Sequence, residues 1–194
     1  MAAPSSVVLV PVKAFAAAKV RLSGVLDTDE RRRLARSMAE GVLRAARSLP
    51  VTVVCDDPEV ADWAAARGAE VLWTPGMGLN PAVECGVDHL LRRGVDLVTV
   101  AHADLPLVTD LGGLARPGGA VLAPDRRHDG TNVIAVPTGA GFRFSYGAGS
   151  FLRHQAEAGR VGLEVTVLER ADLAWDVDVP DDLDYAAPEE AARW

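Results

Sequence analysis

A single carboxylate follows one of the most apolar segments of the chain. Residues 98–106 read VTVAHADLP, and their apolar, β-branched run predicts a buried parallel strand that stops at Asp104. Open α/β sheets bind their ligands beyond the carboxyl ends of their strands. Pro106 ends the strand because proline has no N–H for a strand ladder and restricts the residue before it. Asp104 is therefore a candidate metal ligand, and capping of a short following helix is the structural alternative.

Two further carboxylates occur late in the chain. The segment 175–184 reads WDVDVPDDLD, so Asp176 and Asp178 precede a predicted helix that begins at Pro180. Magnesium is commonly held by one or two carboxylates together with the phosphate oxygens of a substrate. Asp104 with Asp178 or Asp176 would meet that demand, which makes Mg²⁺ the expected cofactor. We favour Asp178 because it directly precedes the turn into the last helix.

A basic loop follows the first predicted strand, at residues 6–12. It spans residues 13–24 and carries Lys13, Lys19 and Arg21 with small residues between them. Scattered cations are commonly just solvated surface. Here they follow a strand tip at the sheet edge where Asp104 is expected, which predicts an anion-binding loop.

Two glycine-containing loops lead into predicted helices. TPGMGLN, at 74–80, ends on Asn80 as the predicted N-cap, and FRFSYGAGS, at 142–150, ends on Ser150 as the N-cap of a helix over 151–158. Helix N-termini present unpaired N–H groups to anions, and glycine allows close backbone approach. An ordinary turn and helix cap is the alternative for the loop at 74–80. The chain lacks both GxGxxG and GxxxxGK[ST] patterns, so neither a dinucleotide fingerprint nor a P-loop is supported.

Other polar residues have more ambiguous sequence contexts. Thr131 lies between Gly130 and Asn132 at the entrance of a predicted strand, where its hydroxyl could bind phosphate or carboxylate oxygens, although turns favour the same residue types. His154 is predicted to pack against its surroundings rather than to face a ligand. The two cysteines, Cys55 and Cys85, lack CxxC spacing and are predicted to be free packing residues.

Alternating strands and helices indicate the fold class. A single-domain, Rossmann-like α/β fold with a mostly parallel sheet flanked by helices is expected. We predict a short helical piece after Asp104. The predicted strands are 6–12, 51–55, 69–73, the segment ending near Asp104, 119–123, 132–136 and 162–168, and the main helices are 28–48, 58–67, 81–94 and 151–158.

Composition and net charge indicate the number of domains and the classes of molecule that the protein binds. The chain has 194 residues, of which 49% are hydrophobic, and a formal net charge of −7. We expect one domain over residues 1–187 and a loose acidic tail over 188–194. The charge argues against nucleic-acid binding. The first apolar run is too short for a signal peptide or a membrane span, so a cytoplasmic protein that binds small molecules and no membrane is expected.

Together these features predict a metal–triphosphate site. Displacement of pyrophosphate at an α-phosphorus needs a divalent cation and cationic groups that take up charge on the leaving group. It needs little acid–base machinery when the nucleophile is already an anion. The strand-tip carboxylate, the late aspartates and the basic loop supply these parts.

Six segments, in chain order, carry a family resemblance. VPVKAFAAAKVRLS, GLNPAVECG, AHADLP, DGTNVIAVP, FSYGAGSFLRH and DVDVPDDL resemble the guanylyltransferases of deazaflavin coenzyme biosynthesis that act on phosphoenolpyruvate or 2-phospho-L-lactate. The resemblance covers residues 7–183. It implies a fold like that of the nucleotide-diphospho-sugar transferases, GTP as donor, magnesium as cofactor, and a small phosphorylated carboxylate as acceptor.

The resemblance also implies residue roles. Lys13 and Lys19 match the basic loop expected to hold the triphosphate and assist catalysis, with Arg21 beside them, and Asp104 matches the metal aspartate. The other matched positions are Gly78, Leu79 and Asn80, expected near the nucleoside, and Thr131, Gly147 and Ser150, expected at the acceptor.

One departure concerns the late aspartates. Val179 and Asp181 stand where related enzymes often have Thr and Glu, so it stays open whether Asp176 or Asp178 binds the metal. The sequence likewise leaves open whether the protein is a monomer or a homodimer. Phosphoenolpyruvate is the preferred acceptor because the composition suggests a GC-rich bacterial genome.

Two rival functions share some of these features. A molybdopterin or sugar-phosphate nucleotidyltransferase would be expected to carry a GGxSxRMGxxK-like first loop, which PVKAFAAAKVRLS lacks. A non-catalytic nucleotide-binding module would need no metal carboxylates.

Overall fold

A seven-stranded sheet organises the computed structural model, which describes residues 3–184. The strand order is β3-β2-β1-β4-β6-β5-β7. The predicted tail at 188–194 and the end of the predicted domain lie outside the described residues. The strands are β1 Ser6–Pro11, β2 Val51–Cys55, β3 Glu70–Trp73, β4 Leu97–Ala101, β5 Gly119–Pro124, β6 Thr131–Pro137 and β7 Glu164–Val167.

The sheet is mostly parallel, as predicted, with one reversed strand. β1, β2, β3 and β4 pair in parallel, as do β5 and β7, whereas β6 runs antiparallel to both of its neighbours. The reversal brings the first residue of β6, Thr131, to the edge where β4 ends. The His102 N–H, just past β4, donates to the Asn132 carbonyl at 3.0 Å. The sequence indicated an extended segment here but not its direction.

Helices cover both faces of the sheet. α1 begins with a capping box in which Asp27 and Glu30 each accept the other's backbone N–H at 2.8 Å. α1 ends at Ala45, before the predicted end at residue 48. α5 was not predicted because four residues give no readable periodicity. The helices are α1 Thr28–Ala45, α2 Pro58–Ala65, α3 Leu79–Arg92, α4 Ser150–Arg160 and α5 Ala171–Ala174, with 3₁₀ turns at Phe15–Ala17, Val20–Leu22, Thr138–Ala140 and Pro180–Asp184.

Strand β1 belongs to two hydrophobic clusters, which explains its continuous apolar sequence. Val8 and Val10 pack in the cluster that contains α1 and α2, whereas Val7 and Leu9 pack in the cluster that contains α3 and α4. Gly86 lets α3 approach this strand closely, because a Cβ there would lie 2.8 Å from both terminal methyl carbons of Leu9.

The short helix predicted after Asp104 is not formed. Residues 102–118 consist of turns and irregular backbone in the described chain. Pro106 and Pro117 restrict this segment, and Gly113 and Gly118 adopt positive φ values of 66° and 71°, which interrupt helical geometry. The structure therefore excludes the alternative in which Asp104 is a helix cap.

Both predicted N-caps are shifted. Gly78 is the N-cap of α3 and Gly149, with φ 70°, is that of α4, so Asn80 and Ser150 lie inside the first turns. Asn80 Oδ1 accepts the Tyr146 N–H at 2.7 Å, and the Ser150 hydroxyl lies 3.4 Å from that of Thr131. These distant partners take the polar groups that a local cap would use.

His154 packs internally, as predicted. Its side chain is fully buried, and its Nε2 accepts the Ser145 N–H at 2.9 Å. The proton therefore sits on Nδ1, which donates to the Thr131 hydroxyl at 3.0 Å. Burial, helped by the Arg153 charge, lowers the pKa of His154 to about 4. The imidazole ring therefore connects α4 with the glycine-containing loop at 142–150 and with the start of β6.

We expect this histidine to make stability depend on pH. An unfolded histidine, with a pKa of about 6.5, binds a proton at pH 5 while folded His154 does not, so its contribution is complete above about pH 6.5 and is lost as pH falls towards 4. Between pH 7.5 and pH 5 the loss should be about 2 kcal/mol. Urea unfolding of the wild type and His154→Gln at both pH values measures it. The same pH dependence in both proteins would contradict the assignment.

Candidate active site

A cavity of about 840 Å³ lies at the carboxyl edge of the sheet. Its wall includes the basic loop, the ends of β2 and β4, and the loop before α3. The residues that line it include Lys13, Lys19, Arg21, Cys55, Asp56, Thr74, Met77, Gly78, Leu79, His102, Asp104, Tyr146, Gly147 and Asp178.

An ammonium group between two carboxylates forms the centre of this cavity wall. Lys19 Nζ lies 2.5 Å from Asp104 Oδ2 and 3.1 Å from Asp178 Oδ1, and its side chain is 9% exposed. Burial alone would lower the pKa of Lys19, but the two carboxylates outweigh it and raise that pKa. Burial would likewise raise the pKa of Asp104, and the Lys19 charge reverses the effect and lowers it. Lys19 and Asp104 are therefore both charged at neutral pH.

The basic loop is fixed by two buried anchors on either side of Lys19. Phe15 is 1% exposed and packs edge-on against Trp63 of α2, with ring centroids 5.2 Å apart. Leu22 is fully buried with Met38. Lys19 itself has a left-handed backbone, with φ 55°, which costs a non-glycine residue about 1–2 kcal/mol. The ion pairs with Asp104 and Asp178 offset that strain.

Asp176 lies close to the same charges. Burial raises its pKa to about 6, and the negative charges of Asp104 and Asp178 contribute to the rise. Asp176 Oδ1 and Asp104 Oδ1 are both buried without a hydrogen-bond partner among residues 3–184. Carboxylate oxygens without donors suit a hard cation.

The described residues do not form a complete metal cage. No group of three or more His, Cys, Asp and Glu side chains within residues 3–184 converges closely enough to hold a metal ion. Magnesium usually takes only one or two protein carboxylates and completes its shell with water and substrate phosphates. The carboxylates present therefore fit a metal that binds together with a triphosphate.

A buried aspartate holds the segment that carries Asp178. Asp182 is fully buried, and its Oδ2 accepts the N–H groups of Asp178 at 2.7 Å and Val179 at 2.9 Å. Its Oδ1 pairs with Arg126 and with Arg127. Burial would raise the pKa of Asp182, but these N–H groups and the Arg126 charge lower it to about 2. Sequence analysis missed this role because both arginines lie more than fifty residues away.

The other residues that were predicted to bind the nucleotide differ in their exposure to the cavity. Lys13 is exposed on the cavity wall, and the 76%-exposed Arg21 places Nη1 4.0 Å from Asp178 Oδ2. Gly78 and Leu79 line the cavity, whereas the Asn80 side chain is engaged with the Tyr146 backbone.

Of the residues that were predicted to bind the acceptor substrate, one lines the cavity and two are buried. Gly147 lines the cavity, with φ 118°, but Thr131 and Ser150 are 2% and 1% exposed. The Ser150 N–H donates to the Gly147 carbonyl at 3.0 Å. Asp129 also fills part of the expected anion site, since its Oδ1 accepts the Gly149 N–H at 3.0 Å. The N-terminus of α4 is thus largely satisfied by the chain itself.

Three cavity residues were missed by sequence reasoning. His102 and Tyr146 pack with ring centroids 4.8 Å apart, and Asp56 follows the end of β2. The signals were present: His102 stands two residues before Asp104, Tyr146 adjoins Gly147, and Asp56 is a carboxylate at a strand tip.

The comparisons with known proteins identify a nucleotidyltransferase. A solved structure described as a nucleotide-diphospho-sugar transferase from Desulfovibrio desulfuricans G20 has a similar fold, with a TM-score of 0.70 and 19% identity over 93% of this chain and 85% of that one. The chain matches the family described as "Guanylyl transferase CofC like" over residues 6–186 and belongs to it.

Two relatives illustrate the range of this family. The phosphoenolpyruvate guanylyltransferase of Sphaerobacter thermophilus is 43% identical over 94% of this chain and 93% of its own length. The 2-phospho-L-lactate guanylyltransferase of Methanocaldococcus jannaschii is 28% identical over 91% of this chain and 80% of its own length.

Among the helices of residues 3–184, none combines the length and apolar character needed to cross a bilayer.

Asp182→Asn tests the buried support of the site. The amide keeps the shape but loses the charge that pairs with Arg126 and Arg127, so we expect the free energy of unfolding at pH 7 to fall by about 2 kcal/mol. The matched control is Asp181→Asn, at an exposed neighbouring aspartate, which should change it by less than about 0.5 kcal/mol. Urea unfolding compares the proteins, and equal stabilities would show that the buried charge contributes nothing.

Proposed function

We propose that this protein transfers GMP from GTP to the phosphate of phosphoenolpyruvate and releases pyrophosphate, in deazaflavin coenzyme biosynthesis. The observation that carries the proposal is the Lys19–Asp104–Asp178 cluster at the cavity wall, in a chain of the guanylyltransferase family. Bacterial relatives at 43% and 39% identity bear the phosphoenolpyruvate name, which favours that acceptor over 2-phospho-L-lactate.

The cations of the basic loop are proposed to hold the triphosphate. Lys13 is free to follow the β- and γ-phosphates, because it is exposed at the cavity wall. Lys19 is positioned by Asp104 and Asp178, and its positive charge would stabilise the departing pyrophosphate. Arg21 is the more solvent-exposed contributor. We assign the nucleoside to the wall formed by Gly78 and Leu79, with Asn80 supporting it.

Asp104 and Asp178, with Asp176 beside them, are proposed to hold Mg²⁺. Their fit rests on the partnerless oxygens of Asp104 and Asp176 and on the exposure of Asp178 to the cavity. A metal ion held by these carboxylates would supply positive charge that neutralises the phosphates of the substrate. Lys19 favours the ionised form of Asp104, and Asp182 holds the backbone of Asp178 in place.

The acceptor is proposed to bind at Gly147, Thr131 and Ser150. Its phosphate oxygen is already an anion, so attack on the α-phosphorus requires no general base. Because the two hydroxyls are buried, an acceptor that contacts them must displace part of the glycine loop at 147–149.

We further propose that the protein is cytoplasmic, in keeping with its free cysteines, and that it is a monomer or a homodimer.

Asp104→Asn is expected to abolish turnover while the fold is kept, since an amide lacks the charge that a hard cation needs. Asp178→Asn should be severe, and Asp176→Asn milder because Asp178 lines the cavity whereas Asp176 does not. Pyrophosphate release at saturating magnesium measures all three, with circular dichroism as the folding control. Near wild-type turnover of Asp104→Asn would refute the metal assignment, and the reverse order of the late aspartates would exchange their roles.

A substrate comparison tests the acceptor. Purified protein with GTP, magnesium and either phosphoenolpyruvate or 2-phospho-L-lactate should give the guanylylated product with phosphoenolpyruvate, detected by mass spectrometry. A product with 2-phospho-L-lactate alone would overturn the preference, and no product with either would overturn the proposed function. Ser150→Ala should raise the KM for the acceptor and leave GTP affinity unchanged if the pocket is assigned correctly.

A further inference from the structure

One carboxylate in the cavity takes no part in the Lys19 cluster. Asp56 directly follows β2, is exposed, and lines the same cavity as Lys19 and Asp104. β1 separates β2 from β4, so the tip of β2 is two strand spacings, about 10 Å, from the tip of β4. Asp56 is therefore on the side of the cavity away from the proposed metal ligands.

Asp56 has no structural partner that would explain it. No Lys, Arg or His nitrogen within residues 3–184 lies within the 4.0 Å ion-pair distance of its carboxylate, unlike Asp104 and Asp178. The neighbouring Asp57 is already used, because its Oδ1 accepts the Val60 N–H at 3.1 Å and caps α2. Asp56 is thus an ionisable side chain open to a ligand.

The nearby wall offers few other side-chain acceptors. The Thr74 hydroxyl is buried and donates to the Cys55 carbonyl at 3.3 Å, and burial raises the pKa of the Cys55 thiol, which keeps it neutral. Met77 and Leu79 supply apolar surface suited to the face of a planar ring. A flat, partly apolar ligand with hydrogen-bond donors at its edge would fit this half of the cavity.

We propose that Asp56 is the specificity-determining residue for guanine and accepts both the N1–H and the 2-amino group of the GTP base. Guanine presents these two donors side by side, and a carboxylate accepts such a pair in parallel. Adenine and cytosine present a ring acceptor at the corresponding edge, and uracil flanks its single N–H with carbonyls, so each meets the carboxylate less favourably. The assignment rests on GTP as the donor in the proposed function, but not on the identity of the acceptor.

Asp56→Asn provides a sharp test, because an amide has one acceptor and one donor. Guanine loses one of its two bonds, whereas xanthine, with a carbonyl at C2 beside N1–H, matches the amide. We expect the variant to lose roughly 10- to 100-fold in GTP affinity and to reverse its preference in favour of XTP. The wild type should prefer GTP to ITP, which lacks the 2-amino group, by roughly 10-fold or more.

Asp57→Asn is the matched control. Asparagine caps helices as well as aspartate does, so this variant should fold normally and keep the wild-type nucleotide order. Calorimetric titration with GTP, ITP, XTP and 2′-deoxy-GTP, in magnesium and without acceptor, measures affinity in all three proteins.

The outcomes separate base reading from the alternatives. An unchanged GTP-to-XTP ratio in Asp56→Asn, or equal wild-type affinity for GTP and ITP, overturns the proposal. Discrimination against 2′-deoxy-GTP that disappears in Asp56→Asn would show that the carboxylate reads the ribose, which also overturns it. A protein that shows the expected base preference but makes no product from phosphoenolpyruvate would retain Asp56 in this role while refuting the proposed acceptor.

Discussion

The buried contact of Lys19 with Asp104 and Asp178 is the interaction on which the site depends. It joins three segments that are far apart in the sequence: the loop after β1, the end of β4 and the approach to the last 3₁₀ turn. Buried charges are costly unless they are paired, and here Lys19 and Asp104 each stabilise the ionised form of the other. Lys19 makes this contact from a left-handed backbone, and its charge lies between the two carboxylates at the sheet edge.

The order of the strands converts this contact into an extended site. The tips of β2, β1 and β4 follow one another along the edge, and the reversed β6 adds Thr131 at its far end. Asp56, the basic loop, Asp104 and the glycine loop can therefore serve different parts of one ligand pair. In the proposed reaction these parts are the base, the triphosphate, the metal and the acceptor.

Two buried polar residues stabilise the segments at the carboxyl edge of the sheet. Asp182 fixes the backbone of Asp178, and His154 fixes the glycine loop against Thr131. Each has a pKa displaced by its surroundings, downward in both cases, so Asp182 stays charged and His154 stays neutral near neutral pH. Their contribution is to geometry, since Asp182 and His154 are both closed to solvent.

The sequence alone determined the features that arise from local patterns. The apolar run before Asp104, the cations that follow β1 and the alternation of strands and helices depend on neighbouring residues, so the sheet class and several residues of the cavity wall could be predicted. Only the tertiary structure decided the direction of β6, the true N-caps Gly78 and Gly149, the supporting contacts of Asp182 and the position of Asp56 in the cavity wall. These features depend on contacts between residues that are remote in the chain. Asn80 contacts the Tyr146 N–H and Ser150 contacts Thr131, and the spacing of residues along the sequence does not show such contacts.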